Sequence, residues 1–402
     1  MDIIGIVAEY NPFHLGHLHQ LTCTKRLFAE NVPVVAVMSG DFVQRGEAAM
    51  YSKFARAEAA CKCGVDLVIE LPLPWCLASA ESFAHGAVEL LDSLGATKLS
   101  FGSELGRIDE LDKLAEILCD GNIYNEIKDL MKAQPEISFA SAREFVVRKR
   151  AGELVVHLKS PNNILAVEYL KAIKGINSNI EPLTIKRVGS GHDTDGTEGP
   201  KSASEIRGLL CEGESISGFV PEEAEAVYIR ERRQGRELSD KTNMETAVLS
   251  RLRMLDKQAF ENAADASGGL GARIFEAVRT AATLDEIYEQ AKTKRYAMSR
   301  VRRVCLSAAL GLNQDTSAKP VPYARVLAAN EKGCALLREI SDKSSVPIIT
   351  KAAHIKALSS ECTEVFATGA KAHDLFVLSY SQNEHKKAGQ DWRTTPHIVK
   401  NR

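Results

Sequence analysis

The stretch IIGIVAEYNPFHLGHLHQ, residues 3–20, decides the fold. Its first six residues are continuously apolar, as a strand buried on both faces must be. A short polar turn follows, and then His14 and His17 bracket Leu15-Gly16 at the start of a helical pattern over 17–29. A helix start carries unpaired backbone N–H groups and the positive end of the helix dipole, so it suits phosphate. Two imidazoles three residues apart share one side of a helical turn. Both are placed to donate hydrogen bonds to charge developing on a phosphoryl group. Gly16 removes a side chain where a ligand approaches the backbone. With 10 His and 27 Gly in 402 residues, chance placement yields H-x-G-H about 0.02 times per chain. Zinc would need further ligands, which no nearby Cys or His supplies. A pair of plain helix-surface histidines is the remaining alternative.

Working outward, further apolar runs occur at 32–38, 65–71, 96–102 and 181–189. Helical patterns lie between them at 52–63, 77–94, 107–119, 140–150 and 161–174. This alternation predicts an α/β fold, a Rossmann-like doubly wound parallel sheet with its ligand at the carboxyl ends of the strands. Near 215–240 the texture changes, and after the charge-dense IRERRQGRELSDK (229–241) β-type runs almost vanish. The segments 244–255, 270–281, 284–293, 300–312 and 323–340 all read as helices. We therefore expect an α/β domain over 1–218 and a mainly α-helical C-terminal domain over 219–402, with a poorly ordered tail over the last twenty residues.

Composition bounds the function. A formal charge of −2 means that any polyanion contact comes from local patches. No stretch has the length of a membrane span and no leader is evident, so a cytoplasmic location is expected. The nine cysteines form no zinc-type spacing, the nearest pair being Cys61 and Cys63. No metal site of the chain's own is expected. His85 and His157 stand alone in apolar or helical settings and read as structural, and Lys53 and Arg56 as solvated helix charges.

The chain resembles the bacterial tRNA(Met) cytidine acetate ligases, a branch of the HIGH-motif nucleotidyltransferases. The resemblance rests on GIVAEYNPFHLGHLHQL (5–21), VMSGDFVQRGEAA (37–49), FGSE (101–104), SPNNILAVEYLKAI (160–173), IKRVGSGHD (185–193), SASEIR (202–207), TKRYAMSRVRR (293–303), YARVLAAN (323–330) and PIITK (347–351). It implies that ATP and acetate give acetyl-adenylate and pyrophosphate. The acetyl group then passes to N4 of the wobble cytidine of elongator tRNA(Met), forming N4-acetylcytidine. Magnesium is expected with the nucleotide, and no protein partner or membrane is implied.

By the same resemblance His14 and His17 serve the phosphates as catalytic groups. Val7, Ala8, Glu9, Tyr10, Asn11, Pro12, Phe13, Leu15, Gly16, Leu18, His19 and Gln20 complete the nucleotide wrap. Gly102, Asn163 and Arg187 match ATP contacts, with Asn162 as a neighbouring candidate; glycine at a strand end and asparagine at a helix start are also ordinary turn and cap chemistry. Ser202, Ser204 and Arg207 occupy the position of a second phosphate motif, although Ala203 replaces one of its hydroxyls, and a plain Ser cap is the alternative. Asp41, Gln44 and Arg45 lie on a loop at the same face of the sheet and are candidates for acetate, magnesium or the cytidine ring.

The segment KTKRYAMSRVRR (292–303) holds six Lys or Arg and no acid. Lys294, Arg295, Arg300, Arg302 and Arg303 are expected to meet RNA phosphates and Tyr296 to stack on a base; a solvated helix face is the alternative. Two other functions compete with the ligase: a small-molecule adenylyltransferase, and a non-catalytic RNA-binding protein with a vestigial nucleotide pocket.

Overall fold

The computed structural model describes residues 2–187, 201–238, 242–314 and 316–400. The predicted strands form with small shifts at their ends: β1 (Ile4–Ala8), β2 (Val34–Ser39), β3 (Leu67–Leu71), β4 (Lys98–Ser103) and β5 (Glu181–Lys186). The tail of the fifth run, 188–193 of IKRVGSGHD, lies outside the described residues. β3, β2, β1, β4 and β5 are neighbours in that order, all parallel. The order reverses beside β1, where a doubly wound sheet opens a crevice.

Both faces of the sheet are covered. Ile4, Ile6, Val34, Ala36 and Met38 are buried with one apolar cluster, which includes residues of α1 (Leu15–Arg26) and α2 (Lys53–Lys62). Val35, Val37, Leu67, Ile69 and Leu99 are buried with the other, which includes α3 (Ala80–Ser93) and α4 (Pro161–Gly175). α3 approaches β1 so closely that a Cβ on Gly5 would lie 2.7 Å from Leu91 Cδ1. The glycine permits that contact.

The second half departs from expectation. The segment 323–340, read as one helix, is a strand, β6 (Ala324–Asn330), followed by a helix, Glu331–Ile340. β6 pairs antiparallel with β3, and β7 (Ile348–Ile349) and β8 (His397–Val399) pair parallel with β6. Every residue of β6 is buried, so its alanine-rich sequence satisfies a strand as well as a helix, and sheet pairing settles the choice. The sheet thus crosses the expected boundary at 218/219, which does not separate sheet from helices. The tail is also anchored rather than loose: Asp391 is fully buried and β8 extends the sheet. The helices Thr242–Met254, Leu270–Thr280, Leu284–Ala291 and Met298–Leu310 form as read.

Candidate functional site

A cavity of about 530 Å³ opens at the carboxyl ends of β1, β4 and β5, within the usual range for a small-molecule site. Val7, Ala8, Glu9, Tyr10 and Asn11 enter it from the end of β1, and His14, His17 and Gln20 from α1. Gln44 and Arg45 come from the loop after β2, and Gly102 from β4. Asn162, Arg187, Ser202, Ser204 and Arg207 complete the set. Segments nearly two hundred residues apart in sequence therefore meet around one cavity.

His14 is the N-cap of α1. Its Nδ1 accepts the Gly16 N–H at 3.0 Å, while the His14 N–H donates to His17 Nδ1 at 3.2 Å. The two rings stack with centroids 3.8 Å apart. Burial holds the His14 pKa down to about 4, with Arg187 and Arg207 adding to the effect. His17 is pushed well below the ordinary imidazole value by burial, and further by His14 and Arg187. Both rings are therefore neutral at pH 7. Since each Nδ1 accepts a hydrogen bond, the proton of each ring sits on Nε2. The HLGH turn thus presents two neutral donors with fixed tautomers. A Cβ on Gly16 would come within 2.8 Å of His14 Cε1, so the glycine makes room for the capping imidazole.

The turn itself is held from outside. Phe13 N–H donates to Tyr228 Oη at 2.9 Å, Leu15 N–H to Phe219 O at 3.0 Å, and Met50 N–H to Asn11 Oδ1 at 2.8 Å. Pro12 and Phe13 are buried rather than lining the cavity, Leu18 packs against the apolar cluster that holds Ile4, Ile6 and Met38, and His19 is exposed beside Cys23. Leu15 and Gly16 contribute through the backbone of the turn.

Among the described residues, four cationic ones line the cavity from separate elements: Arg45, Lys159, Arg187 and Arg207. Arg187 Nε is buried and has no hydrogen-bond partner among the described residues. A guanidinium nitrogen in that state is costly unless an anion completes it. A Cβ on Gly102 would press to 3.3 Å from Arg187 Cγ, so the strand-end glycine leaves the arginine its path. Arg207 donates to Asn11 O at 3.1 Å and to Ser204 Oγ at 3.0 Å. Ser202 accepts the Glu205 N–H at 3.3 Å and forms a capping box with Glu205. Its hydroxyl thus caps the helix Ala203–Glu212 while the residue lines the cavity. Glu9 also faces inward; burial raises its pKa, against the Gln44 N–H that it accepts at 2.8 Å.

Several placements differ from the sequence reading. Asn163 is buried and its Oδ1 accepts the Leu105 N–H at 3.1 Å; Asn162 is the one that lines the cavity. Glu104, inside the FGSE segment, also lines the cavity. It caps α4, accepting the Asn163 N–H at 2.9 Å and Asn162 Nδ2 at 2.7 Å. The signal for it was present: the first turn of α4 carries no acid of its own.

Asp41 does not reach the cavity. It accepts the Lys53 N–H at 2.8 Å and pairs with His373 Nδ1 at 2.8 Å. Lys53 is likewise buried, bonded to Glu70 at 2.8 Å and Asp391 at 2.9 Å, and Arg325 joins the same carboxylates at 3.2 and 2.9 Å. Arg56, fully buried, donates to the carbonyls of Tyr51, Glu9, Ser39 and Gly40. Lys53 and Arg56 read as solvated charges because their helix is locally unremarkable; their partners come from elsewhere in the chain, Glu70 and Asp391 for Lys53 and the carbonyls of Glu9, Ser39, Gly40 and Tyr51 for Arg56.

The basic stretch is also redirected. Tyr296 is buried and its hydroxyl donates to Gly268 O at 2.5 Å, so its ring is not a free stacking platform. Arg300 and Arg303 pair with Asp265 at 3.2 and 2.6 Å, and Arg302 pairs with Glu47. Lys294 and Arg295 remain exposed, beside a groove that also includes Arg273. Among the described residues no group of three or more His, Cys, Asp or Glu is arranged to hold a metal ion, and no helix is long and apolar enough to cross a membrane.

The HIGH Nucleotidyl Transferase family model matches residues 1–391. The chain is 39% identical over 395 residues to the tRNA(Met) cytidine acetate ligase of Thermoanaerobacter sp. strain X514, covering 95% of this chain and 96% of that one. It is 36% identical over 411 residues to the enzyme of the same name from Acetivibrio thermocellus, covering 98% of each. It is also similar to the crystal structure of Thermotoga maritima TmcAL bound with alpha-thio ATP, with a TM-score of 0.91 and 32% identity over the whole of both chains. These similarities run through the sheet, the cavity and the helical half alike, and the chain belongs to the tRNA(Met) cytidine acetate ligase family of HIGH nucleotidyl transferases.

Proposed function

We propose that this chain is an ATP-dependent ligase that activates acetate as acetyl-adenylate and transfers the acetyl group to N4 of the wobble cytidine of elongator tRNA(Met). The observation that carries the reading is the pair of neutral imidazole donors set beside Arg187 and Arg207 at the strand ends. In the first step an acetate oxygen bonds to the α-phosphorus of ATP and the bridging P–O bond to pyrophosphate breaks. His14 and His17 donate from Nε2 to the phosphate oxygens where charge grows, which is worth about 2.7–4 kcal/mol per well-placed donor. Arg187 and Arg207 neutralise the leaving pyrophosphate. Magnesium accompanying the nucleotide would supply further neutralisation of the phosphate charge.

In the second step N4 bonds to the acetyl carbonyl carbon, the N4 proton is lost to solvent, and AMP leaves with the shared oxygen. The wall contributed by Val43, Phe83, Phe101, Leu165 and Tyr169 offers apolar surface for a base or a methyl group. Exposed Lys294 and Arg295 support contact with RNA phosphates, and the reaction belongs to the cytoplasm, where tRNA is found.

Incubation with ATP, labelled acetate and total tRNA, followed by nucleoside analysis, tests the reading. Label in N4-acetylcytidine is expected. Acetate-independent transfer of AMP to a phosphorylated acceptor would favour the small-molecule adenylyltransferase instead, and tRNA binding without turnover the non-catalytic alternative.

A further inference from the structure

Among the described residues, three carboxylates line the cavity, Glu9, Glu47 and Glu104; Glu104 caps α4 and Glu9 accepts the Gln44 N–H, whereas Glu47 sits beside an arginine that the phosphates need. Glu47 lines the cavity beside Arg207, with which it forms only a long ion pair, Oε2 to Nη2 at 3.9 Å. A carboxylate there repels phosphate and competes for the guanidinium that the phosphate needs. Its other oxygen is ion-paired with Arg302 Nη1. Arg302 stands outside the cavity, on the helix Met298–Leu310.

Arg302 is firmly placed. Its guanidinium lies 5.5 Å from the centre of the Tyr288 ring. The loop that carries Glu47 sits directly on the helix backbone: a Cβ on Gly46 (φ +78°) would meet Arg303 N at 2.6 Å and Arg302 Cβ at 2.7 Å. The neighbouring Arg303 donates to Gln44 O at 3.3 Å. The helix therefore grips the cavity loop at Gln44, Gly46 and Glu47 in succession.

We infer that Arg302 is a positioning residue for ATP: it neutralises Glu47 and withholds that carboxylate from Arg207, leaving the Arg207 charge to the triphosphate. The inference rests on the reading of the cavity as the ATP site. Without Arg302, Glu47 is left with Arg207, at 3.9 Å, as its one cationic neighbour among the described residues, and it either closes on that guanidinium or turns its charge toward the phosphates; both weaken the anion site. The arginine that the sequence assigns to RNA thus acts on the nucleotide through one carboxylate.

The test is equilibrium binding of ATP to the full-length protein in the absence of acetate, with acetate-dependent ATP–pyrophosphate exchange measured in parallel. Arg302→Ala is expected to weaken ATP binding about tenfold at low salt, and less at high salt, where the charge is screened. Arg302→Lys, which keeps the charge, should stay within about twofold of wild type, and Glu47→Gln alone should bind ATP about twofold tighter. The double variant Arg302→Ala/Glu47→Gln decides the matter. If the charge is what counts, removing the orphaned carboxylate restores binding to within about twofold of wild type. If Arg302 merely glues the loop to the helix, the double variant is as weak as the single one or weaker, and the inference is overturned. Undiminished ATP binding by Arg302→Ala overturns it as well. Wild-type protein that binds no ATP would sink the reading of the cavity itself, and this inference with it.

Discussion

His14→Asn probes the HLGH turn through proton linkage. Asparagine is a preferred N-cap, so the variant keeps an acceptor for the Gly16 N–H but loses the titratable ring. The folded His14 pKa is about 4, against about 6.5 for an unfolded histidine. Between those values the unfolded chain binds a proton that the folded chain refuses. Stability therefore falls as pH falls through the window from about 6.5 to about 4. At about pH 5 the unfolded ring is nearly all charged and the folded ring nearly all neutral, which amounts to about 2 kcal/mol. His14 is 3% exposed, so solvent screening takes little from that figure.

The assay is urea unfolding of wild type and variant at about pH 7.5 and about pH 5, with equal m-values required. The stability difference between the two proteins should shift by about 2 kcal/mol in favour of the variant at the lower pH. Titrating groups that His14 does not touch, including His373, whose pKa is raised by Asp41 against the pull of burial, are common to both proteins and cancel; His17, lowered in part by His14, is relieved in the variant and moves the difference in the same direction. The same neutrality predicts that adenylate formation by wild type does not titrate away near pH 6.5. Parallel stability curves, or an activity that collapses with an ordinary imidazole midpoint, would refute the neutral Nε2–H assignment.

Other outcomes follow from the same geometry. His17→Ala should lower acetate-dependent ATP–pyrophosphate exchange by about 10²–10³-fold with tRNA affinity unchanged; loss of tRNA binding with exchange intact would reverse the assignment. Arg56→Lys cannot reach the four carbonyls that the guanidinium fork serves, and should cost about 3 kcal/mol in denaturant unfolding. Lys294→Glu with Arg295→Glu should weaken tRNA binding and flatten its salt dependence while leaving stability within about 0.5 kcal/mol of wild type; an unchanged slope would remove these residues from the RNA surface.

Local pattern was enough for the first half of this protein. Five apolar runs with helix signals between them specify a parallel sheet because the hydrophobic period acts within a few residues. The HLGH turn was equally legible, since capping, helix dipole and ring spacing are all properties of one short segment. What sequence could not settle depends on contacts between distant residues. β6 is alanine-rich and β or α by itself, and the β3 edge decides it. Asn162 and Asn163 are interchangeable as letters, and Glu104 decides which one faces the cavity. Lys53, Arg56, Arg302 and Arg303 look like surface charges, yet Glu70, the loop carbonyls, Glu47 and Asp265 draw them inward. A charge is as cheap in water as in a buried pair with good geometry, so composition is silent on where it goes, and tertiary structure alone supplies the partner.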